Sequence, residues 1–147
     1  MEMNGSRTIA APRDRVWAAL NDPAVLKECI PGCQELTGSP GEGFDATVTQ
    51  KVGPVKATFK GHVMLRDVNA PVSYRIEGEG KGGVAGFAKG GADVMLGEVP
   101  EGTELTYAVD AKVGGKIAQL GGRVVDSVAA KLADQFFERF KDHVEAG

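Results

Sequence analysis

Cysteine is almost absent. Cys29 and Cys33 are the only two in 147 residues, too few for a disulfide framework. As a Cys-x3-Cys pair they do not make a zinc site, which needs two more ligands, and the two histidines, His62 and His143, lie far apart in the chain. The thiols are read as structural, with neither a metal nor a Cys–His nucleophile expected. Positive charge is not in surplus either: the net charge of −3 supplies no field for a phosphate backbone, so no nucleic-acid partner is expected. No apolar run approaches the ~20 residues of a membrane span. Met1 to Ala11 lacks the apolar stretch of a secretory signal, which predicts a cytoplasmic protein with reduced thiols. No Ser/His/Asp or paired-carboxylate spacing stands out, so catalysis is not expected. His62 falls on the polar side of its strand. Asp93 and Asp110 are the strand carboxylates that could turn inward, where burial would raise their pKa.

Hydrophobic residues at 42% and charged residues at 25% describe an ordinary globular chain, and its length suits one domain over 1-147. Met3 to Ala10 reads as a short strand. Pro12 then opens a helix where a missing N–H costs nothing, Asp14 suits its first turn, and Val16, Trp17 and Leu20 form its apolar face. Asp22-Pro23 repeats the start signal for a second short helix, which Ile30-Pro31-Gly32 stops. From Cys33 to Val113 the apolar period is two, broken by turns at Gly53-Pro54, Asn69-Ala70-Pro71 and Pro100-Glu101-Gly102. This predicts about six short antiparallel strands with one covered face.

The cover is the last segment. Ile117, Leu120, Val124, Val128, Leu132, Phe136 and Phe140 recur at three- and four-residue steps, predicting a helix from about Ala118 to Val144. The order strand, two short helices, about six strands, one long helix is the helix-grip arrangement. It predicts an α+β fold in which a curved antiparallel sheet of about seven strands wraps the C-terminal helix. Such a curl leaves a hollow that only side chains or a lipophilic small molecule can fill. Phe136 and Phe140 are expected to pack near Trp17 and Leu20 and close one end. Phe59, Tyr74, Tyr107, Leu120, Val124, Val128 and Leu132 are expected around the hollow, with tyrosine hydroxyls as its few polar groups.

Gly78 to Gly91 holds seven of the 21 glycines. A phosphate loop would lead from a strand into a helix, but Ala92-Asp-Val-Met-Leu continues as a strand. The glycines are read instead as bends in a strand pair whose missing side chains widen the hollow, with Phe87 as the apolar tip of a gate.

Ala11-Pro12 before a Val-Trp helix, Leu20-Asn-Asp-Pro23, Cys29-Ile-Pro-Gly-Cys33, Val52-Gly-Pro-Val-Lys-Ala-Thr-Phe-Lys-Gly61, the glycine-rich run to Ala92 and Lys131-Leu-Ala-Asp-Gln-Phe-Phe137 together resemble the CoxG family of carbon monoxide dehydrogenase components. That family lies within the START-like helix-grip (SRPBCC) superfamily, and the likeness covers nearly the whole chain. It implies a non-enzymatic accessory of molybdenum carbon monoxide dehydrogenase. It also implies a bound respiratory quinone, menaquinone or ubiquinone, and no covalent cofactor. The resemblance further implies peripheral association with the inner face of the cell membrane. The resemblance implies that many relatives continue into a membrane-contacting C-terminal tail, whereas this chain stops at Gly147, so no such contact is assigned to these residues. Two other readings are an adaptor whose hollow is filled by side chains, and an enzyme acting on a hydrophobic ketone or ring. The last requires a titrating group inside.

Overall fold

In the computed structural model, residues 1–146 are described; Gly147, the end point in the expectation about a tail, lies outside the described residues. Strand β1 spans Glu2–Ile9. Helix α1, Arg13–Leu20, starts after Pro12, whose φ of −62° is already helical in φ and whose carbonyl accepts from the Val16 N–H at 3.1 Å. Helix α2, Pro23–Cys29, is capped by Asp22, whose Oδ1 accepts from the Ala24 N–H at 2.9 Å. Six strands follow: β2 (Cys33–Ser39), β3 (Gly43–Val52), β4 (Val55–Asn69), β5 (Ser73–Lys81), β6 (Phe87–Val99) and β7 (Gly102–Gly114). They form one antiparallel sheet ordered β1-β7-β6-β5-β4-β3-β2, so β1 returns to pair with the last strand and leaves β2 at the other edge.

The final helix differs from its expected start. A 3-10 turn at Ala118–Leu120 ends at Gly121, whose φ of +95° cannot continue a right-handed helix. Helix α3 therefore begins afresh and spans Gly122–Ala146. At ~1.5 Å per residue it is roughly 37 Å long, enough to cross the sheet.

The packed core lies at one end of that helix. Ile9, Val16, Leu20, Val25, Cys29, Leu96, Leu105, Phe137, Phe140 and Val144 are buried together, joining α1, α2 and the last turns of α3 to the sheet. Phe140 is fully enclosed, and burying such a ring contributes about 2–3 kcal/mol. The Thr103 hydroxyl, also fully buried, donates to the Ala11 carbonyl at 2.8 Å and so locks the β1–α1 link to β7. Toward its N-terminus α3 loosens: Val124, Val128 and Leu132 are only half-buried. The fold is a helix-grip, with a curved seven-stranded sheet and a long helix that fills one part of the curl and merely covers the rest.

Candidate functional site

Period two sends alternate residues of each strand to the concave face. Registers align Leu65, Ile76, Ala92 and Val109 in one inward row and Val63, Gly78, Gly90 and Ala111 in the next. Moving away from the core end, these rows pass from bulky side chains to glycine and alanine. The helix passes over them without reaching down, so a hollow remains.

The hollow has two connected parts. A chamber of about 350 Å³ lies between the sheet and Ala133, Phe136 and Phe137 of α3, with Leu26 and Ile30 from the α2 end. A groove of about 340 Å³ continues over Phe59, Gly80, Ala88 and Gly90. Six residues border both spaces: Ala46, Gly61, Val63, Ile76, Ala92 and Val109. From Val94 to Ala88 the combined path follows seven residues of β6, six steps of ~3.3 Å or roughly 20 Å.

The chamber wall is apolar except for two phenols. Among its described lining residues there is no carboxylate, amine, thiol or imidazole. Tyr74 is buried and meets Trp17 edge-on, with ring centroids 5.2 Å apart at 89°. Burial pushes its pKa above the ordinary phenol range, so it stays a neutral O–H. Tyr107 stacks on Phe137 at 5.1 Å and 23°. Its ring crosses Gly5 of β1, where a Cβ would come within 2.7 Å of the phenol oxygen. Arg7, two residues on and on the same side of the strand, donates to that oxygen at 3.1 Å and to Asp134 Oδ1 at 2.7 Å. Its guanidinium also lies 5.1 Å from the Phe137 centroid. These two hydrogen bonds, that to Tyr107 foremost, raise the Arg7 pKa and hold it charged. A guanidinium can only donate, so the Tyr107 oxygen is the acceptor and its own hydrogen remains free for a guest.

Of the residues expected around the hollow, Tyr74 and Tyr107 line the chamber and Phe59 lines the groove. Leu120 and Val124 line neither space; they lie over the β3–β4 turn, 3.5 and 3.6 Å from where a Cβ on Gly53 would stand. Val128 and Leu132 are half-buried on α3, but the helical residues in the chamber wall are Ala133, Phe136 and Phe137. Phe87 is turned the other way. It pairs with Lys81, which pairs with Lys60, and this row belongs to the outer face; Ala88 is the residue that looks inward. In a strand one step of offset changes the face, and Phe87 is 43% exposed with its ring against Gly114.

Asp93 and Asp110 also face outward. Arg75 binds Asp93 Oδ2 at 3.1 Å, Asp110 Oδ2 at 3.0 Å and Glu77 Oε1 at 3.2 Å, so these carboxylates belong to a surface network. Cys29 is buried and Cys33 half-buried, and burial pushes both thiols up, away from the reactive thiolate. Phe136 and Phe140 stack at 5.7 Å and close the chamber against the core that holds Leu20, with Trp17 packed beside it. Arg7, Ala133 and Phe137 do not stand out by pattern. The available signal is an arginine in step with Met3, Gly5 and Ile9 on an otherwise apolar strand face.

Several solved structures share this architecture. A conserved protein from Geobacillus kaustophilus superposes with a TM-score of 0.92 at 29% identity, over 99% of this chain and 96% of that one. A putative uncharacterized protein from Rhizobium leguminosarum gives 0.75 at 16% identity, covering 100% and 95%. Protein Ms6760 from Mycobacterium smegmatis gives 0.73 at 18% identity, covering 99% and 91%. Among curated protein sequences there is no significant match. Residues 5–145 match the profile of one family, described as the CoxG subunit of carbon monoxide dehydrogenase. The match spans almost the full length, and the chain therefore belongs to the CoxG family.

Proposed function

We propose that this protein is a non-catalytic accessory of a molybdenum carbon monoxide dehydrogenase. In this reading it holds a respiratory quinone, menaquinone or ubiquinone, in the hollow and links the enzyme to the membrane electron-transport chain. Family membership supports the association with carbon monoxide dehydrogenase. The quinone reading is carried by one observation: a two-part apolar hollow with phenol hydroxyls at one end and a groove lined by five glycines, small residues and aliphatic side chains at the other. A quinone has a ring with carbonyl acceptors and a long hydrocarbon tail. The chamber suits the ring, because Tyr107 can donate to a carbonyl while Arg7 occupies its oxygen. The glycine-floored groove suits the tail, whose burial gains ~25 cal/mol per Å² removed from water. Among the described residues, the chamber lining offers no carboxylate or imidazole to move a proton, which supports carriage over turnover.

The test is extraction and mass spectrometry of lipid from purified protein, followed by titration with a short-chain quinone. Trp17, edge-on to Tyr74 at the chamber, is the fluorescence reporter. Quenching should saturate in the native protein and be lost in Ala92→Phe, which obstructs the junction of chamber and groove. No extracted lipid together with no quenching would remove the quinone reading and leave an adaptor.

A further inference from the structure

The strand ends at the far mouth of the groove carry an unfavourable arrangement of charge. Register places Lys51 opposite Lys56, Lys60 opposite Lys81 and Lys89 opposite Lys112, all on the outer face. Like charges directly across a sheet repel. Of these six, Lys81 alone has an ion-pair partner among the described residues, Glu79 at 3.8 Å, and Glu79, which also stands opposite Lys89 in the register, offsets only part of the repulsion. Yet the chain as a whole is acidic, with a net charge of −3.

Two apolar residues project from the same end. Val84, in the 3-10 turn Gly83–Ala85 that joins β5 to β6, is 92% exposed, and Phe87 beside it is 43% exposed. Val68 and Met95, also exposed, lie elsewhere, Val68 next to Asp67 in the chain and Met95 in a surface cleft with Asp67, Asp93 and Arg75, where no lysine stands. Among the described residues, only at the β5–β6 tip do exposed large apolar side chains stand among lysines. The tip also borders the groove: Gly80 and Ala88, which line it, adjoin Lys81 and Phe87 in the chain.

We propose that this end docks on an anionic bilayer surface, with Val84 and Phe87 entering the headgroup boundary and the lysine pairs facing lipid phosphates. Charge complementarity selects an anionic partner, and the two apolar side chains select a bilayer over a merely acidic protein. Docked this way, the groove opens at the membrane and a lipid tail reaches it without crossing water. The proposal rests on the quinone reading only for what enters the groove.

Co-sedimentation with phosphatidylcholine vesicles, with and without phosphatidylglycerol, tests it. Native protein should bind the anionic vesicles alone and release them at high salt. Lys60→Gln and Lys81→Gln should each weaken binding about fivefold. Val84→Asp, at a site too exposed to affect folding, should weaken it about tenfold or more. No binding to anionic vesicles, or equal binding by all variants, overturns the proposal. Loss in the lysine variants without loss in Val84→Asp also overturns it, and assigns the face to an acidic protein. Short-chain quinone titration separates the two ideas: quenching without vesicle binding sinks the docking surface, and vesicle binding without quenching sinks the quinone.

Discussion

The Nη2 of Arg7 lies 3.1 Å from the Tyr107 hydroxyl and 2.7 Å from Asp134 Oδ1, so one nitrogen joins β1, β7 and α3 at the chamber edge. Both of its hydrogens are spent, one on each oxygen. The phenol is left to act as a donor, which suits an acceptor such as a ring carbonyl and disfavours a guest that offers only a hydroxyl hydrogen.

Tyr107→Phe keeps the ring stacked on Phe137 and removes that donor together with the oxygen that accepts from Arg7, which retains Asp134. A neutral hydrogen bond is worth about 0.5–1.5 kcal/mol net, so quinone affinity should fall roughly 3- to 10-fold. An all-hydrocarbon guest of similar size should bind Tyr107→Phe as well as it binds the native protein. Parallel Trp17 quenching titrations measure both. Equal quinone affinity in the two proteins would show that the hydroxyl does not meet the guest.

Packing density differs along α3, and substitutions should reveal it. Phe140 is fully enclosed, so Phe140→Ala should cost about 3–5 kcal/mol, as deletions of buried rings do. Phe136 already borders empty space, so Phe136→Ala should cost about half as much or less, because the lost ring had fewer partners. Urea unfolding of both variants, with similar slopes, measures the difference. Equal losses would mean that the chamber is packed in solution.

Local rules govern much of this fold, which is why so much of it is legible in the chain. Pro12 and Asp22-Pro23 start helices wherever they occur, and alternation assigns the strands. What escapes depends on distant partners. The face of Phe87 follows from its pairing with Lys81, and no pattern within one strand reveals a register. The four-residue stripe points to Val128 and Leu132, whereas the curvature of the sheet brings Ala133 and Phe137 to the chamber. Gly121 is tolerable inside a helix by pattern, but its positive φ makes it the break before α3. Arg7 is hidden because its partners, Tyr107 and Asp134, are 100 and 127 residues away.

The two thiols should separate by reactivity. Cys29 is 1% exposed in the core, and burial raises its pKa. Cys33 is half-buried at the start of β2, and burial again leads the shift, with its Sγ–H on the Glu35 carbonyl at 3.3 Å. At neutral pH an iodoacetamide time course should label Cys33 slowly and Cys29 only as the protein unfolds. Since burial raises the folded pKa of Cys29, its contribution to stability is complete below the unfolded thiol value of about 8.5 and is lost as pH rises through the folded one. Rapid labelling of both in native buffer would contradict the enclosed core.

Glu77 gives the opposite sign. Arg66 Nε donates to its Oε2 at 3.0 Å and Arg75 Nε to its Oε1 at 3.2 Å, and the Arg66 bond, then the Arg75 bond, holds its pKa below the usual carboxylate value. A depressed folded pKa makes the contribution complete above the unfolded value of about 4.3, and it is lost as pH falls through the folded one. The side chain is well exposed, so salt screens much of the effect and the titration itself is the sensitive readout. Carbon-13 spectra of the carboxyl groups should show Glu77 titrating below an ordinary glutamate. In Arg66→Gln its midpoint should move up, with a smaller residual depression maintained by Arg75. An unchanged midpoint would mean that the Arg66–Glu77 pair is not formed in solution, and would locate the outer-face network on Arg75 alone.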